Sequence, residues 1–95
     1  MRNAAATSTP VEALPPRAIP LAELPVGASG EVEGVFAVPP TGQRLRDLGF
    51  HPNTRVRVVR RAPLGDPIVF ELRGYRLCLR LKEAASIRVR PLSSR

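Results

Sequence analysis

Between Arg44 and Gly74 the chain reads RLRDLGFHPNTRVRVVRRAPLGDPIVFELRG, and its stop signals allow little besides a short helix running into a strand meander. Leu45 and Leu48 lie three apart and share one helical face, with Arg44, Arg46 and Asp47 off it. Thr41 stands where an N-cap would accept a hydrogen bond from the first turn. Gly49 supplies a left-handed residue at the helix end, and Pro52 prevents the helix from resuming. Asn53, which follows that proline, tolerates positive φ better than any residue but glycine.

Beyond Thr54 the apolar period changes to two. Val56 and Val58 oppose Arg55 and Arg57; Ile68, Phe70 and Leu72 oppose Val69, Glu71 and Arg73; Leu77, Leu79 and Leu81 oppose Arg76, Cys78 and Arg80; Ile87 and Val89 oppose Arg88 and Arg90. Four strands with one apolar and one arginine-bearing face, joined by short loops, predict a curled antiparallel sheet that closes fully or partly on itself. Lys82 to Ala85 reads as a single helical turn before the last strand. Upstream, Gly30 to Phe36 predicts a first strand with an irregularity at Gly34. Ile19, Pro20, Leu21 and Leu24 predict a brief turn that lids the core.

Residues 1–18 carry Pro10, Pro15 and Pro16 among small polar residues and read as a disordered extension. The predicted folded unit is 19–92, with 93–95 as a tail. Thr7, Ser8, Thr9, Pro10 and Glu12 interrupt any secretory apolar core, and no stretch approaches the ~20 apolar residues of a membrane span. A single cysteine forms no internal disulfide, which suits a reducing compartment. A formal net charge of +7, from 15 basic and 8 acidic residues, points to acidic partners without distinguishing phosphate from carboxylate. Four aromatic residues and no tryptophan argue against a base-stacking platform.

No catalytic constellation is present in the sequence. No nucleophile stands at a recognisable spacing from a base, and Gly27 with Gly30 does not make a phosphate-cradling loop. One histidine, His51, and one cysteine, Cys78, give no preformed metal site; Arg76 and Arg80 flank the thiol and oppose a cation. The reading is a binding module without cofactor, metal or small-molecule substrate. In Ala62–Ile68 (APLGDPI), Pro63 and Pro67 fix φ at both ends, Gly65 permits a tight reversal and Asp66 can bond backbone amides of the turn. That loop either presents Leu64 to a partner or lays it over one end of the barrel.

Leu21, Leu24 and Gly27, then RLRDLGFHP, TRVRVV, APLGDPI, RG, LCLR, and EA followed by IRV, together resemble the FeoA family, the small cytoplasmic component of bacterial ferrous iron transport. The likeness spans about Ile19 to Pro91. It is most specific in APLGDPI joined to the upstream LGF at Leu48–Phe50, and it departs at Asn53, where the family usually has glycine. The resemblance implies a mainly β fold, a small SH3-like antiparallel β-barrel with one or two short helices. It also implies a cytoplasmic accessory protein, peripheral at the inner membrane through its partner. That partner would be FeoB, a membrane transporter with a cytosolic GTP-binding domain.

On that reading the docking residues are Arg44, Arg46, Phe50, Leu64 and Asp66, an apolar pair ringed by charge. The competing expectation is a basic barrel that binds nucleic acid through Arg55, Arg57, Arg73, Arg76, Arg80, Arg88 and Arg90, with steep salt dependence. A third, the SH3-like domain of a metal-dependent repressor, lacks a DNA-binding helical domain in this chain.

Overall fold

The computed structural model describes residues 17–92. The expected extension therefore lies outside the described residues except for Arg17 and Ala18, and the tail at 93–95 lies outside them altogether. In chain order the elements are β1 (Ile19–Pro20), a 3-10 turn (Leu21–Glu23), β2 (Ser29–Val35), α1 (Thr41–Asp47), β3 (Arg55–Arg61), β4 (Ile68–Leu72), β5 (Tyr75–Leu79), α2 (Leu81–Ala84) and β6 (Ile87–Pro91). All strand pairs are antiparallel, in the order β1-β6-β2-β3-β4-β5.

The period-two pattern holds through most of the sheet. Val56, Val58, Ile68, Phe70, Leu72, Ile87 and Val89 are buried together on the concave side with Val32. Two bulges break the period. The one between Val32 and Gly34 lets Val32 and Val35 both point inward despite odd spacing. The other, between Val58 and Arg60, shifts parity so that Arg61 stands opposite the inward-facing Ile68. Its guanidinium then donates to the carbonyls of Ala22 at 2.6 Å and Leu24 at 3.1 Å. The lid formed by Leu21 and Leu24, both buried, is thereby tied to the end of β3.

The expected closure into a barrel is made by packing and not by strand pairing. β1 is an edge of two residues whose Pro20 has no N–H to give, and β5 is the opposite edge. The 3-10 turn and α2 contact one another across the gap. Leu81, read as an inward strand residue, instead begins α2 and is 42% exposed, because the strand stops at Leu79.

Helix α1 begins one residue earlier than its cap chemistry suggests. Pro40 is the N-cap and makes no side-chain cap bond, so Thr41 is the first helical residue and not the cap. Gly42 is buried, and a Cβ there would lie 2.2 Å from the Ala37 carbonyl oxygen; only glycine allows this approach. At the other end Gly49 has φ +116°, and the Phe50 N–H reaches the Leu45 carbonyl at 3.2 Å. The reversal turns the Phe50 ring into the core. Tyr75 donates its hydroxyl to the Leu48 carbonyl, satisfying an acceptor that the ending helix leaves open. Asn53 takes φ +74° as its type permits, and Arg73 and Gly74, at +52° and +85°, form the two-residue hairpin between β4 and β5.

A candidate docking surface around the second helix

Four residues cannot hold a helix by their own hydrogen bonds, so α2 has to be braced from outside. Two of the sequence-derived candidates do this from different elements. Asp66, in the loop between β3 and β4, accepts a hydrogen bond from the Leu81 N–H at 2.9 Å, one of the donors a helix N-terminus leaves unpaired. Arg44, on α1, forms an ion pair with Glu83 Oε2. The other oxygen of Glu83 accepts from the Arg80 N–H at 3.0 Å, giving the carboxylate half of a capping box. Asp66 was expected to bond its own turn; it caps a neighbouring helix instead, because the turn closes without it.

That closure uses backbone alone. Gly65, at φ +89°, donates to the Ala62 carbonyl at 2.7 Å, and Ala62 donates to the Pro67 carbonyl at 3.0 Å. Held between these bonds and two prolines, Leu64 is 97% exposed. It therefore does not cover the end of the barrel, and the loop displays it. On the other flank of α2 a groove of about 650 Å³ runs between Val38, Pro39 and Pro40 on one wall and Arg80, Lys82 and Glu83 on the other. Val38 is 78% exposed; Phe36 and Leu81 are also exposed. Displayed apolar groups among charges are the usual anatomy of a binding patch.

The remaining candidates divide. Arg46 turns back on its own chain, with Nη2 3.3 Å from the Val35 carbonyl. Phe50, expected at the interface, is 1% exposed and offers no ring to a partner. Sequence reasoning saw an aromatic in a loop after a glycine; the left-handed turn at Gly49 is what sends it inward. Val38, Leu81, Lys82 and Glu83 were missed. Two prolines following Val38 signalled a break, and nothing in the residues alone signalled that α2 would lie beside it.

The strand arginines do not form an uninterrupted cationic track. Arg57 donates to Glu71 at 2.8 Å and Arg90 lies 3.5 Å from Glu31; Arg90 also donates to Asn53 at 3.0 Å. The hydrogen bond from Arg57 holds the Glu71 carboxyl below its ordinary pKa of 4.5, helped by the charges of Arg57 and Arg76. Across the outer face the sign alternates strand by strand, which weakens the case for a phosphate-binding surface. Among the described residues no three His, Cys, Asp or Glu side chains converge as metal ligands would, and no helix is long and apolar enough to cross a membrane.

The family model described as the FeoA domain matches residues 19–91. A fusion of Fe(2+) transport protein A with the Fe(2+) transporter FeoB from Porphyromonas gingivalis is 36% identical over 64 residues, 67% of this chain and 7% of that protein. The chain thus spans only a small part of the fusion's length. The solution structure of a FeoA-like protein from Clostridium acetobutylicum superposes with a TM-score of 0.77 at 33% identity, covering 83% of this chain and 92% of the other. FeoA from Stenotrophomonas maltophilia, solved with zinc and described as a prokaryotic SH3 domain protein, gives 0.66 at 37% identity over 73% of this chain and 86% of its own.

Proposed function

The chain belongs to the FeoA family and has its SH3-like, mainly β fold, and from that premise we propose that it binds and regulates a FeoB-type ferrous iron transporter from the cytosolic side. Membership associates it with ferrous iron transport. The fusion in Porphyromonas gingivalis supports physical partnership, since tethering raises the effective concentration of one module at the other. The observation that carries the proposal is Leu64, 97% exposed on a loop whose backbone bonds and prolines fix it in place. A loop backbone already ordered loses little entropy on docking.

Leu64 is the proposed anchor, with Val38 and Leu81 as further apolar contacts. Arg44, Arg46 and Asp66 form the polar surround; the ring of Phe50 is buried in the core and makes no contact with the partner. Nucleotide turnover belongs to the transporter, and the accessory chain acts by binding, without cofactor or metal. Its cytoplasmic location, peripheral at the inner membrane, follows from that partner.

The test is an NMR titration of the isotope-labelled chain with the cytosolic region of a FeoB-type transporter at physiological salt, alongside a random DNA duplex. Saturable shifts at Leu64, Val38 and Leu81, absent with DNA, are expected. Shifts spread over the strand arginines with DNA alone would replace the proposal by a phosphate-binding barrel.

A further inference from the structure

The outer face of the sheet is striped by charge. Reading across it, β6 carries Arg88 and Arg90, β2 carries Glu31, β3 carries Arg55 and Arg57, β4 carries Glu71, and β5 carries Arg76. The stripes are in register: Glu31 stands opposite both Arg90 and Arg55, and Glu71 opposite both Arg57 and Arg76. Cross-strand pairs of opposite charge stabilise such a face, and each glutamate has a basic neighbour on either side. The series stops at a basic strand, because β5 is an edge.

That edge is open. Tyr75, Arg76 and Cys78 are exposed and Leu77 is half-buried. Among the described residues the backbone groups of Arg76–Leu79 make no hydrogen bonds outside their ladder with β4. Only the Leu79 end is covered, next to α2. An unpaired strand with free N–H and C=O groups is a template for another extended chain. The strand that would continue the alternation is acidic on its outer face and apolar on its inner face, where it would meet Leu77 and the Tyr75 ring.

We infer that β5 is a β-augmentation site for an extended segment of a partner protein that alternates acidic and apolar residues. A second copy of this chain is the poorer occupant. Antiparallel pairing about Cys78 in the sequence Arg76–Arg80, RLCLR, would set arginine against arginine, and like charges directly opposite are unfavourable. The site is distinct from the surface around α2 and does not depend on the proposed transporter partner.

The test uses blocked heptapeptides added to the isotope-labelled full chain: one alternating glutamate with valine, one alternating lysine with valine, and the glutamate peptide with two of its residues replaced by proline. Expected are saturable binding of the glutamate peptide, slowed amide exchange within Arg76–Cys78, and loss of both with the proline peptide, whose missing N–H groups cannot build the ladder. Arg76→Glu, at an exposed position, should keep the fold, weaken the glutamate peptide by about fivefold and gain the lysine peptide. Absence of binding, equal binding of both charged peptides, or shifts on the Arg55 and Arg57 face without protection in β5 would overturn the inference. So would a concentration-dependent dimer protected at β5 without peptide, which would make a second copy the occupant.

Discussion

Leu64→Asp separates display from packing. At 97% exposure Leu64 retains about one-thirtieth of the ~2–3 kcal/mol that full burial of a leucine contributes, or under ~0.1 kcal/mol. The turn around Leu64 closes by backbone bonds, between Gly65 and Ala62 and between Ala62 and Pro67, and the loop's side-chain bond runs from the Leu81 N–H to Asp66, so a substitution at Leu64 leaves them in place. Unfolding in urea should therefore give the same midpoint and slope as the parent chain, within ~0.3 kcal/mol. If Leu64 is the anchor, a centrally placed apolar residue in an interface contributes about 2 kcal/mol or more. Affinity for the transporter's cytosolic region should then fall by about 30-fold or more, read by calorimetry or by the NMR titration. A loss of stability above ~1 kcal/mol would refute the geometry, because it would mean that the leucine packs on the barrel. Unchanged affinity with unchanged stability would refute the docking role.

Four further outcomes follow from the same structure. Phe50→Ala should cost about 3–5 kcal/mol in urea unfolding, since the ring is buried in the core; a fold as stable as the parent would place it on the surface after all. Gly42→Ala should destabilise by about 1–3 kcal/mol, because the new methyl group would meet the Ala37 carbonyl oxygen at 2.2 Å; a gain from better helix propensity would contradict that contact. Asp66→Ala should cost about 1 kcal/mol and expose the Leu81 amide to faster hydrogen exchange, whereas Asp66→Asn should recover most of it. The Glu71 carboxyl has its folded pKa depressed by the Arg57 hydrogen bond, so its stabilisation is full above the ordinary glutamate range and is lost as pH falls through the lower folded value. Glu71→Gln should accordingly differ from the parent at neutral pH and converge with it in acid, once the pH has fallen through the depressed folded value.

Periodicity carried the sheet. In β3, β4 and β6 the alternation named the buried residues correctly, because each strand has one face on the core and the side-chain period is two. It erred where the backbone left that period. The end of β5 at Leu79 turns Leu81 outward; the bulge after Val58, which brings Arg61 to the core side to hold the lid, went unread, since a register shift has no marker in residue type. Helix limits were legible from Gly49 and Pro52, but the start was not, since Pro40 in helical geometry replaces the side-chain cap that Thr41 advertised. The candidate site was half legible. Pro63, Gly65 and Pro67 announced a rigid loop but left open whether Leu64 is displayed or packed, whereas Phe50 was misplaced because loop membership says nothing about the direction a turn imposes. Glu83 was invisible because its role depends on Arg44, a contact 39 positions away.

The place of β6 in the sheet bears on how the chain acquires its structure. Its last strand lies between the first two, pairing Val89 with Ile19 on one side and with Val32 on the other, and Arg88 reaches the Ala18 carbonyl 70 positions back. A nascent chain leaving the ribosome can form the β3-β4-β5 meander early, from neighbouring hairpins. Its amino-terminal strands must wait for the final one to emerge. Folding dominated by such distant pairings falls in the slow range for small domains, milliseconds to seconds. Until then β2 lacks its β6 neighbour and the lid lacks the strand beside it, so this interval is when a growing chain is most open to chaperones or to misassociation with other strands.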